Sequence, residues 1–391
     1  MTPAPTAFEA ALEKIAPAVL QETVRITEIP APTFRERLRA TYVRDRLATI
    51  GGWDQLTLDS TANVVAVRRG ERTATRVLLS AHLDTVFPDE ATPVAHERGK
   101  LVGRGVGDNS LGVAALLGVA EVLQRSVPRG IGDVIFAANV GEEGLGDLRG
   151  IKRVIKDYGA DFDAALVIEG HALNTVQTAA VASLRYEVSV ETEGGHSWGA
   201  YGRKNAISLL ARAIVALEGV TPEVGVTPKV TMNVGVIRGG RSVNTIAPDA
   251  AFELDMRSAD LAALGQLNQA ARAAMRAALR GETALRIKRI GNRPGGAIAE
   301  DSALIRAVLG VRRDLGLPPP EFRASSTDVN ALVAAGYATT CIGVTTGGES
   351  HTPREWIHTA PVRKGVPYVG RALLAAARLP REQVRRRARS R

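Results

Sequence analysis

The chain is poor in three features that mark particular protein classes. It contains one cysteine, Cys341, among 391 residues, which excludes an intrachain disulfide framework and a cysteine-rich metal site. Three Trp, six Tyr and seven Phe are spread along it, too few to indicate a base-stacking platform for nucleic acid. No apolar run reaches the roughly 20 residues that span a bilayer. A metal site in this chain must therefore use nitrogen and oxygen ligands.

The amino terminus gives no targeting signal. The opening stretch MTPAPTAFEAALEKIAP has no basic region followed by an apolar core, so no signal peptide is predicted. A hydrophobic content of 45% is ample for sizeable cores. We therefore expect a globular cytoplasmic protein of two or three domains without a membrane partner.

The net charge of +9 is unevenly distributed. Seven arginines lie between Arg378 and Arg391, against the single acid Glu382, so most of the excess charge belongs to the carboxyl terminus. We predict that residues 381–391 form a solvated basic tail. A contact of this tail with nucleic acid or a membrane surface is the alternative, but no nucleic-acid partner is expected.

Short apolar runs alternate with helical segments in the first half of the chain. Four runs have strand length and aliphatic composition: 63–69, 76–81, 133–140 and 164–169. Between the second and the third, residues 111–124 have apolar positions at helical spacing. Near-continuous apolar strands separated by helices indicate an α/β sheet covered on both faces. Ligands of such sheets collect beyond the carboxyl ends of the strands.

Metal-competent side chains follow these runs. Any one of them alone is best explained as a surface residue. Together, their imidazoles and hard carboxylates match what a paired zinc site needs. The residues are His82, Asp84, Asp108, Glu142, Glu143, Glu169 and, late in the chain, His351.

Eight motifs occur in order between about residues 76 and 358: SAHLDTV, GRGVGDNSLG, GEEG, VIEG, GGHS, NVGVIRGGRSVNTIA, DMR and ESHTPRE. This ordered set resembles the dinuclear zinc exopeptidases and deacylases, which include glutamate carboxypeptidase, succinyl-diaminopimelate desuccinylase, aminoacylase and peptidase T. The resemblance implies an α/β catalytic domain with a mixed sheet flanked by helices. It also implies an inserted α+β two-layer domain that serves as a lid and dimer interface.

The resemblance implies that five of these residues are metal ligands. It implies two zinc ions per subunit, for which cobalt or manganese can substitute. His82 would bind one zinc and His351 the other, with Asp108 bridging them. Glu143 and Glu169 would each complete one coordination shell. The family pattern also has a cis peptide bond after the bridging aspartate, here between Asp108 and Asn109.

Three further residues are implied to act in catalysis. Glu142, next to a ligand but itself unligated, would take a proton from the attacking water and pass it to the leaving amine. Asp84 would hydrogen-bond the second imidazole nitrogen of His82 and fix its tautomer. His196 would stabilise the oxyanion. The alternatives are that Glu142 and Glu143 are both ligands or exchange their roles, and that Asp84 and His196 have purely structural turn roles.

The region from about 181 to 292 has a different hydrophobic pattern from the first half of the chain. Half-exposed alternating strands and amphipathic helices follow the order strand, helix, two strands, helix, strand, which predicts the inserted two-layer domain. We therefore divide the chain into catalytic segments 1–180 and 293–380, an inserted domain 181–292 and the tail 381–391. By resemblance, the protein is expected to be a homodimer.

The resemblance further implies substrate contacts. Arg257 and Asn244 would hold the carboxylate and backbone of the substrate, since the planar guanidinium suits a carboxylate; a structural ion pair is the alternative for Arg257. Ser326, Thr327 and Asp328 would line the pocket, although a helix N-cap explains them equally well. Glu355 is either a partner that orients His351 or a surface residue.

The identity of residue 169 bears on the substrate class. In this family a glutamate at that position, here Glu169, accompanies carboxypeptidases and deacylases. Together with Arg257 it favours hydrolysis of an amide of a small peptide or N-acyl amino acid. The alternatives are an aminopeptidase or dipeptidase of the same family, and a non-catalytic binding protein on this fold.

Overall fold

The computed structural model describes residues 6–88, 90–281 and 285–384. The chain divides into two compact units, one spanning Ala180–Gly296 and the other formed by the segments before and after it. The sequence places these boundaries after residues 180 and 292, and the structure places them after residues 179 and 296.

A six-stranded mixed sheet forms the centre of the first unit. In the spatial order given at the end of this paragraph, the third to sixth strands are parallel to one another, and the second strand is antiparallel to both of its neighbours. The four strands predicted from apolar runs are confirmed to within one residue at each end. In spatial order the strands are Gln55–Leu58, Val64–Arg68, Val134–Asn139, Val77–His82, Ala164–Glu169 and Ala338–Gly343.

Successive residues of a strand point to opposite faces of the sheet. Because apolar residues occupy both faces of these strands, helices cover both faces. Leu79 and Ala81 pack into one hydrophobic core, and Leu78 packs into the other. The predicted α/β sheet with two covered faces is therefore confirmed. The first core includes the helices Ala7–Lys14, Ala16–Thr27, Arg37–Ile50, Leu111–Arg125, Ala303–Asp314 and Val362–Ala377. The second includes Arg149–Tyr158 and Val329–Ala334.

A long apolar helix lies in the first core. Among the described residues, Val106–Arg125 is the helical segment that by length and composition alone could cross a membrane. Within its most apolar window, however, 89% of the residues are buried inside the protein. This burial against neighbouring helices and strands is the environment of a core helix, and it accounts for the apolar composition.

A small four-stranded sheet joins two distant parts of the first unit. Its order is Gly347–Gly348, Trp356–His358, Lys100–Val102 and Ala95–Glu97. The central pair places Trp356 opposite Val102 in antiparallel register. The sheet therefore brings the loop 349–355 next to the turn 103–110. Further strands of this unit are Thr175–Ala180 and Glu321–Ser325, which are neighbours, and a two-residue strand, Gly296–Ala297, lies at the unit boundary.

The second unit is a two-layer α+β structure, as predicted. Its sheet is antiparallel, and the helices Ala206–Glu218 and Leu261–Ala278 pack against the sheet to form one hydrophobic core. A short ladder pairs Gly195–His196 with Thr245–Ile246. In spatial order the strands of the main sheet are Val230–Gly239, Asp249–Ser258, Ala182–Glu191 and Leu285–Arg293.

The start of the predicted basic tail is helical and partly packed. Arg381–Val384 form a short helix, and the Val384 side chain is buried. Arg381 Nε lies 3.0 Å from Asp163 Oδ2, an ion pair that ties this helix to the first unit. The tail predicted over 381–391 therefore differs from the structure in its first four residues. Residues 385–391 lie outside the described residues, and for them a basic tail stays a prediction.

Candidate metal centre

Parallel strands bring two predicted ligands to one edge of the central sheet. His82 is the last residue of Val77–His82, and Glu169 is the last residue of Ala164–Glu169. These two strands are parallel neighbours, so their carboxyl ends lie side by side. Glu142 and Glu143 follow the third parallel strand, Val134–Asn139. All four side chains are buried, and polar groups of this kind require partners or a cation.

Asp108 belongs to two groups of metal-competent atoms. In the first group, His82 Nε2 lies 3.0 Å from Asp108 Oδ1 and 3.6 Å from Glu169 Oε2. In the second, His351 Nε2 lies 3.2 Å from both Asp108 Oδ2 and Glu143 Oε1. Tetrahedral zinc with bonds near 2.0–2.1 Å separates neighbouring ligand atoms by about 3.3 Å. The spacing of the side chains in each group therefore fits one divalent metal ion per group.

The charges of the group also favour cations. Hydrogen bonds with Asp108, and then with Glu143, raise the pKa of His351 to about 10. Burial alone lowers the pKa of His82, but the negative charge of Glu169 and the hydrogen bond with Asp108 raise it overall. In both cases the neighbouring carboxylates favour positive charge at the imidazole. Divalent cations can supply the same charge when the imidazoles are neutral ligands.

Asp84 holds the site in a way that differs from the prediction. The atom that lies 3.0 Å from His82 Nδ1 is the backbone carbonyl oxygen of Asp84, whereas the carboxylate atom Oδ1 is 3.6 Å away, too far for a hydrogen bond. The carboxylate instead accepts the backbone N–H groups of Glu142 and Glu143, at 2.9 and 3.0 Å. Thr33 Oγ1 also donates to it, at 2.9 Å. Asp84 therefore orients His82 through its main chain and the two glutamates through its side chain.

A buried guanidinium supports the turn that contains Asp84. Arg39 donates to the carbonyl oxygen of Leu83 at 2.8 Å, and its Nε and Nη2 donate to that of Ile29 at 2.9 and 2.6 Å. Burial lowers its pKa to about 10 although the nearby Asp84 carboxylate opposes this. In the sequence Arg39 is one of several arginines in a helix, and no local pattern distinguishes it.

The turn that carries Asp108 is held by Glu355, the residue immediately before the strand Trp356–His358. The Asp108–Asn109 peptide bond is cis. Glu355 Oε1 accepts the backbone N–H groups of Gly107 at 2.7 Å and Asp108 at 2.8 Å. Burial first, and the charge of Asp108 next, raise the pKa of Glu355 to about 7. Glu355 is thus neither the orienting partner of His351 nor a surface residue, the two interpretations that the sequence left open.

Like Glu355, Asp328 has a buried carboxyl group close to the candidate ligands. Asp328 Oδ2 accepts a hydrogen bond from Asn139 Nδ2 at 2.7 Å, and Asn139 is opposite His82 in the sheet register. Burial raises the pKa of Asp328 to about 7. Asp328 thereby links the start of the helix Val329–Ala334 to the sheet edge that presents His82.

The neighbouring residues predicted to contact substrate have structural partners. Thr327 is buried, and its hydroxyl donates to Gln177 Oε1 at 2.8 Å. The same oxygen accepts the N–H of Val329 at 3.2 Å, as in a helix cap. Ser326 is partly exposed. Substrate binding by Ser326 and Thr327 stays a prediction, and these contacts favour the helix-cap alternative for Thr327.

The remaining predicted residues lie in the second unit. His196 is exposed, and its Nδ1 accepts the backbone N–H groups of Trp198 and Gly199 at 3.2 and 3.4 Å. A neutral imidazole that accepts at Nδ1 carries its proton on Nε2. The Asn244 carbonyl oxygen accepts the N–H of Ser197 at 3.0 Å, so the segments containing His196 and Asn244 are adjacent.

Arg257 has an acidic partner within the second unit. Its Nε donates to Asp255 Oδ2 at 2.6 Å, and Arg185 Nε donates to Asp255 Oδ1 at 2.8 Å. Although burial alone raises it, the pKa of Asp255 is lowered overall by these two guanidinium groups. The ion pair that the sequence left as an alternative for Arg257 is therefore present. A substrate role for Arg257 stays a prediction.

The fold and the site together define a class of protein: an α/β unit with a candidate metal centre at its sheet edge, interrupted by a two-layer α+β unit. Residues 78–375 match the peptidase family M20/M25/M40. The chain belongs to this family, and the resemblance inferred from the motifs is confirmed.

Curated relatives match over part of their length. A peptidase M20 domain-containing protein of Schizosaccharomyces pombe is 30% identical over 192 residues, which cover 49% of this chain and 47% of that protein. A succinyl-diaminopimelate desuccinylase of Corynebacterium glutamicum is 25% identical over 235 residues, or 59% of this chain and 63% of the enzyme. The matched region thus spans less than two thirds of each relative.

Solved structures share the fold over nearly the whole chain. A tripeptidase of Staphylococcus aureus superimposes with a TM-score of 0.76 and 20% sequence identity, covering 93% of this chain and 99% of the tripeptidase. At this level of identity the similarity establishes the common fold alone.

Proposed function

We propose that this protein is a metal-dependent hydrolase that cleaves an amide bond of a peptide or an N-acyl amino acid. The observation that carries the proposal is the position of Asp108, whose two carboxylate oxygens belong to two separate ligand groups. Membership of the M20/M25/M40 peptidase family and the similarity to a desuccinylase support the same reaction class.

The proposed centre contains two zinc ions, for which cobalt or manganese can substitute. Bound ions of this kind supply Lewis acidity, which activates water near neutral pH and polarises a carbonyl group. The imidazoles and carboxylates of the two groups suit zinc because they offer neutral nitrogen and charged oxygen donors. The proposed ligands are His82, Asp108 and Glu169 for one ion, and Asp108, Glu143 and His351 for the other.

Three side chains are proposed to act on protons and charge. Glu142 is buried and adjacent in sequence to the ligand Glu143, so its carboxylate would take the proton of the attacking water and deliver it to the leaving amine. Asp84 would keep Glu142 oriented through the N–H bond described above. His196 would donate its Nε2 proton to the developing oxyanion, since its Nδ1 is already an acceptor.

The substrate class and assembly are finer parts of the proposal. Glu169 favours a carboxypeptidase or deacylase, with Asn244 and Arg257 as contacts to the substrate backbone and carboxylate. We also propose a cytoplasmic homodimer. The edge strand Val230–Gly239 supports dimerisation, because Val236 and Ile237 are 47% and 60% exposed and an unpaired strand edge is a template for association.

A substrate screen tests the proposed reaction. Metal-stripped protein would be reconstituted with zinc, cobalt or manganese and incubated with N-acyl amino acids, carboxyl-blocked and free peptides, and free-amine di- and tripeptides. Mass spectrometry should detect cleavage of N-acyl amino acids or removal of a carboxyl-terminal residue. Cleavage restricted to free-amine peptides would instead identify an aminopeptidase or dipeptidase. Fewer than about one tightly bound metal per chain, with no amide cleaved, would indicate a binding protein.

A further inference from the structure

The loop between Gly348 and Trp356 grips Asp108 from two sides. At one end His351 Nε2 lies 3.2 Å from the Asp108 carboxylate. At the other end Glu355 Oε1 accepts the Asp108 backbone N–H at 2.8 Å. The side chain and the main chain of Asp108 are therefore both positioned by one short segment that lies far away in the sequence.

Glu355 is built into this position. Its exposure is 1%, and its own carbonyl oxygen accepts the N–H of Gly103 at 2.8 Å. That bond continues the pairing of Trp356 with Val102 in the small sheet. Burial of a carboxylate is costly unless it is hydrogen-bonded. The buried Oε1 therefore needs hydrogen-bond donors, and the N–H groups of Gly107 and Asp108 supply them.

The turn is shaped for the same contact. A Cβ atom on Gly107 would lie 2.9 Å from Ile357 Cγ2 and 3.3 Å from Glu355 Oε1. A side chain at position 107 would thus crowd Ile357 first and Glu355 next, so the Gly107 backbone packs closely against the segment that carries Glu355. Because one oxygen accepts two successive N–H groups, rotation of either peptide would break a hydrogen bond, and the Asp108 backbone is fixed.

We propose that Glu355 is a positioning residue that clamps the Gly107–Asp108 backbone so that Asp108 can serve both metal ions. This inference rests on the proposed metal centre. Asp108 belongs to both ligand groups, so loosening its backbone weakens both ions, whereas loss of Glu143 or Glu169 removes a ligand from one group only. Groups that orient metal ligands typically change affinity 10–100-fold when they are removed.

The clamp is tested first on metal-free protein. Hydrogen–deuterium exchange of peptides covering residues 103–111 should be faster in E355A and E355D than in wild type, because the acceptor is absent or too short to reach both N–H groups. E355Q keeps a carbonyl acceptor and should exchange like wild type. Unchanged exchange in E355D would overturn the clamp. This measurement needs no metal, so its outcome is independent of the proposed function.

The effect on the metal centre is tested by titrating each protein with zinc chloride in the presence of a competing chelator. We expect E355A and E355D to bind both zinc ions 10–100-fold more weakly and E355Q to remain within about threefold of wild type. E349A is the matched control, because Glu349 lies in the same loop but pairs with the exposed Arg354. Circular dichroism of the metal-free proteins reports folding, and E355D serves if E355A fails to fold.

Three results of the zinc titration are distinguishable. Loss of affinity in E355Q with none in E355D would show that charge, not the acceptor geometry, is responsible, and would overturn the proposal. Weakening of one ion alone would contradict action through Asp108. Absence of zinc binding by the wild type would refute the proposed function, and the exchange experiment would still decide whether Glu355 holds the turn.

Discussion

The Asp84 carboxylate accepts the backbone N–H of Glu142 at 2.9 Å. The neighbouring N–H, that of Glu143, is bound by the other oxygen of the same carboxylate at 3.0 Å. The proposed base and its adjacent ligand are thus held by one buried acid, so the geometry of the loop depends on two acceptor oxygens rather than on charge alone.

We predict that D84N disrupts this arrangement. An asparagine offers one acceptor, and its NH₂ group would face an N–H donor of Glu142 or Glu143. We expect turnover to fall by about 10²–10³, the scale of losing a preorganised catalytic contact, and the free energy of unfolding to fall by about 1–3 kcal/mol. Steady-state kinetics and urea unfolding would measure these effects.

The matched control for D84N is T33V, which removes only the hydroxyl donor to Asp84. It should cost no more than about 0.5–1.5 kcal/mol and change turnover much less. Wild-type turnover in D84N would show that the two N–H bonds do not position the glutamates.

We predict that E142Q retains metal but loses turnover. Glutamine occupies the same space and cannot accept the proton of the attacking water, so kcat should fall about 10²–10⁴-fold. Metal content by mass spectrometry should equal that of the wild type. The control is D147N in the same loop, since Asp147 pairs with Lys152 outside the proposed centre. Near-native turnover in E142Q would transfer the role of base to another residue.

We predict that E36Q destabilises the helix that follows the loop of Glu142 and Glu143. Arg149 Nη2 lies 2.6 and 2.7 Å from the two oxygens of the buried Glu36 carboxylate, and Arg149 begins the helix that follows this loop. Loss of this charged hydrogen bond should lower the free energy of unfolding by about 1.5–3 kcal/mol. Urea unfolding of metal-free protein would measure it.

The control for E36Q is D157N on the same helix. Asp157 pairs with Arg153 at the helix surface, where solvent screening leaves an ion pair little effect on stability. Equal losses in E36Q and D157N would contradict a special role for the buried pair.

We predict that Asp163 makes stability depend on pH in the acid range. Burial alone raises its pKa, but hydrogen bonds with Arg76 and Arg381 lower it overall. A lowered folded-state pKa adds stability that is complete above the unfolded value near 3.9 and is lost as pH falls through the folded value. D163N should therefore be less stable than wild type at pH 7 and at pH 5, and the difference should shrink below about pH 4. A constant difference in urea midpoints down to pH 2.5 would contradict this linkage.

Much of the fold is predictable because local patterns specify it. The strand that ends at His82 is a continuous apolar run, and the helix Leu111–Arg125 has apolar residues at helical spacing. The two-layer unit also follows from its alternating strands. The strand Ala338–Gly343 is not predicted, because ATTCIG mixes polar and apolar residues and its burial arises from tertiary packing beside Ala164–Glu169 and the covering helices.

The small sheet escaped prediction for a related reason. Strands of two or three residues, such as Lys100–Val102 and Trp356–His358, are too short for a periodic signal. Their pairing is a contact between segments about 250 residues apart in the chain. The contact of Glu355 with the Asp108 turn depends on that pairing, so the sequence left Glu355 ambiguous.

The sequence by itself determined the residue types of the candidate centre, because a chain with one cysteine must bind metal through imidazole and carboxylate groups, and these follow apolar strands in a recognisable order. Only the tertiary structure decided which atoms meet. The Asp84 side chain binds two main-chain N–H groups rather than the His82 ring, Arg257 pairs with Asp255, and Glu355 holds the Asp108 backbone. A hydrogen bond forms only when the donor–acceptor distance is correct to within a few tenths of an ångström. For segments that are remote in sequence, this distance is set only when the packed sheets bring the segments together.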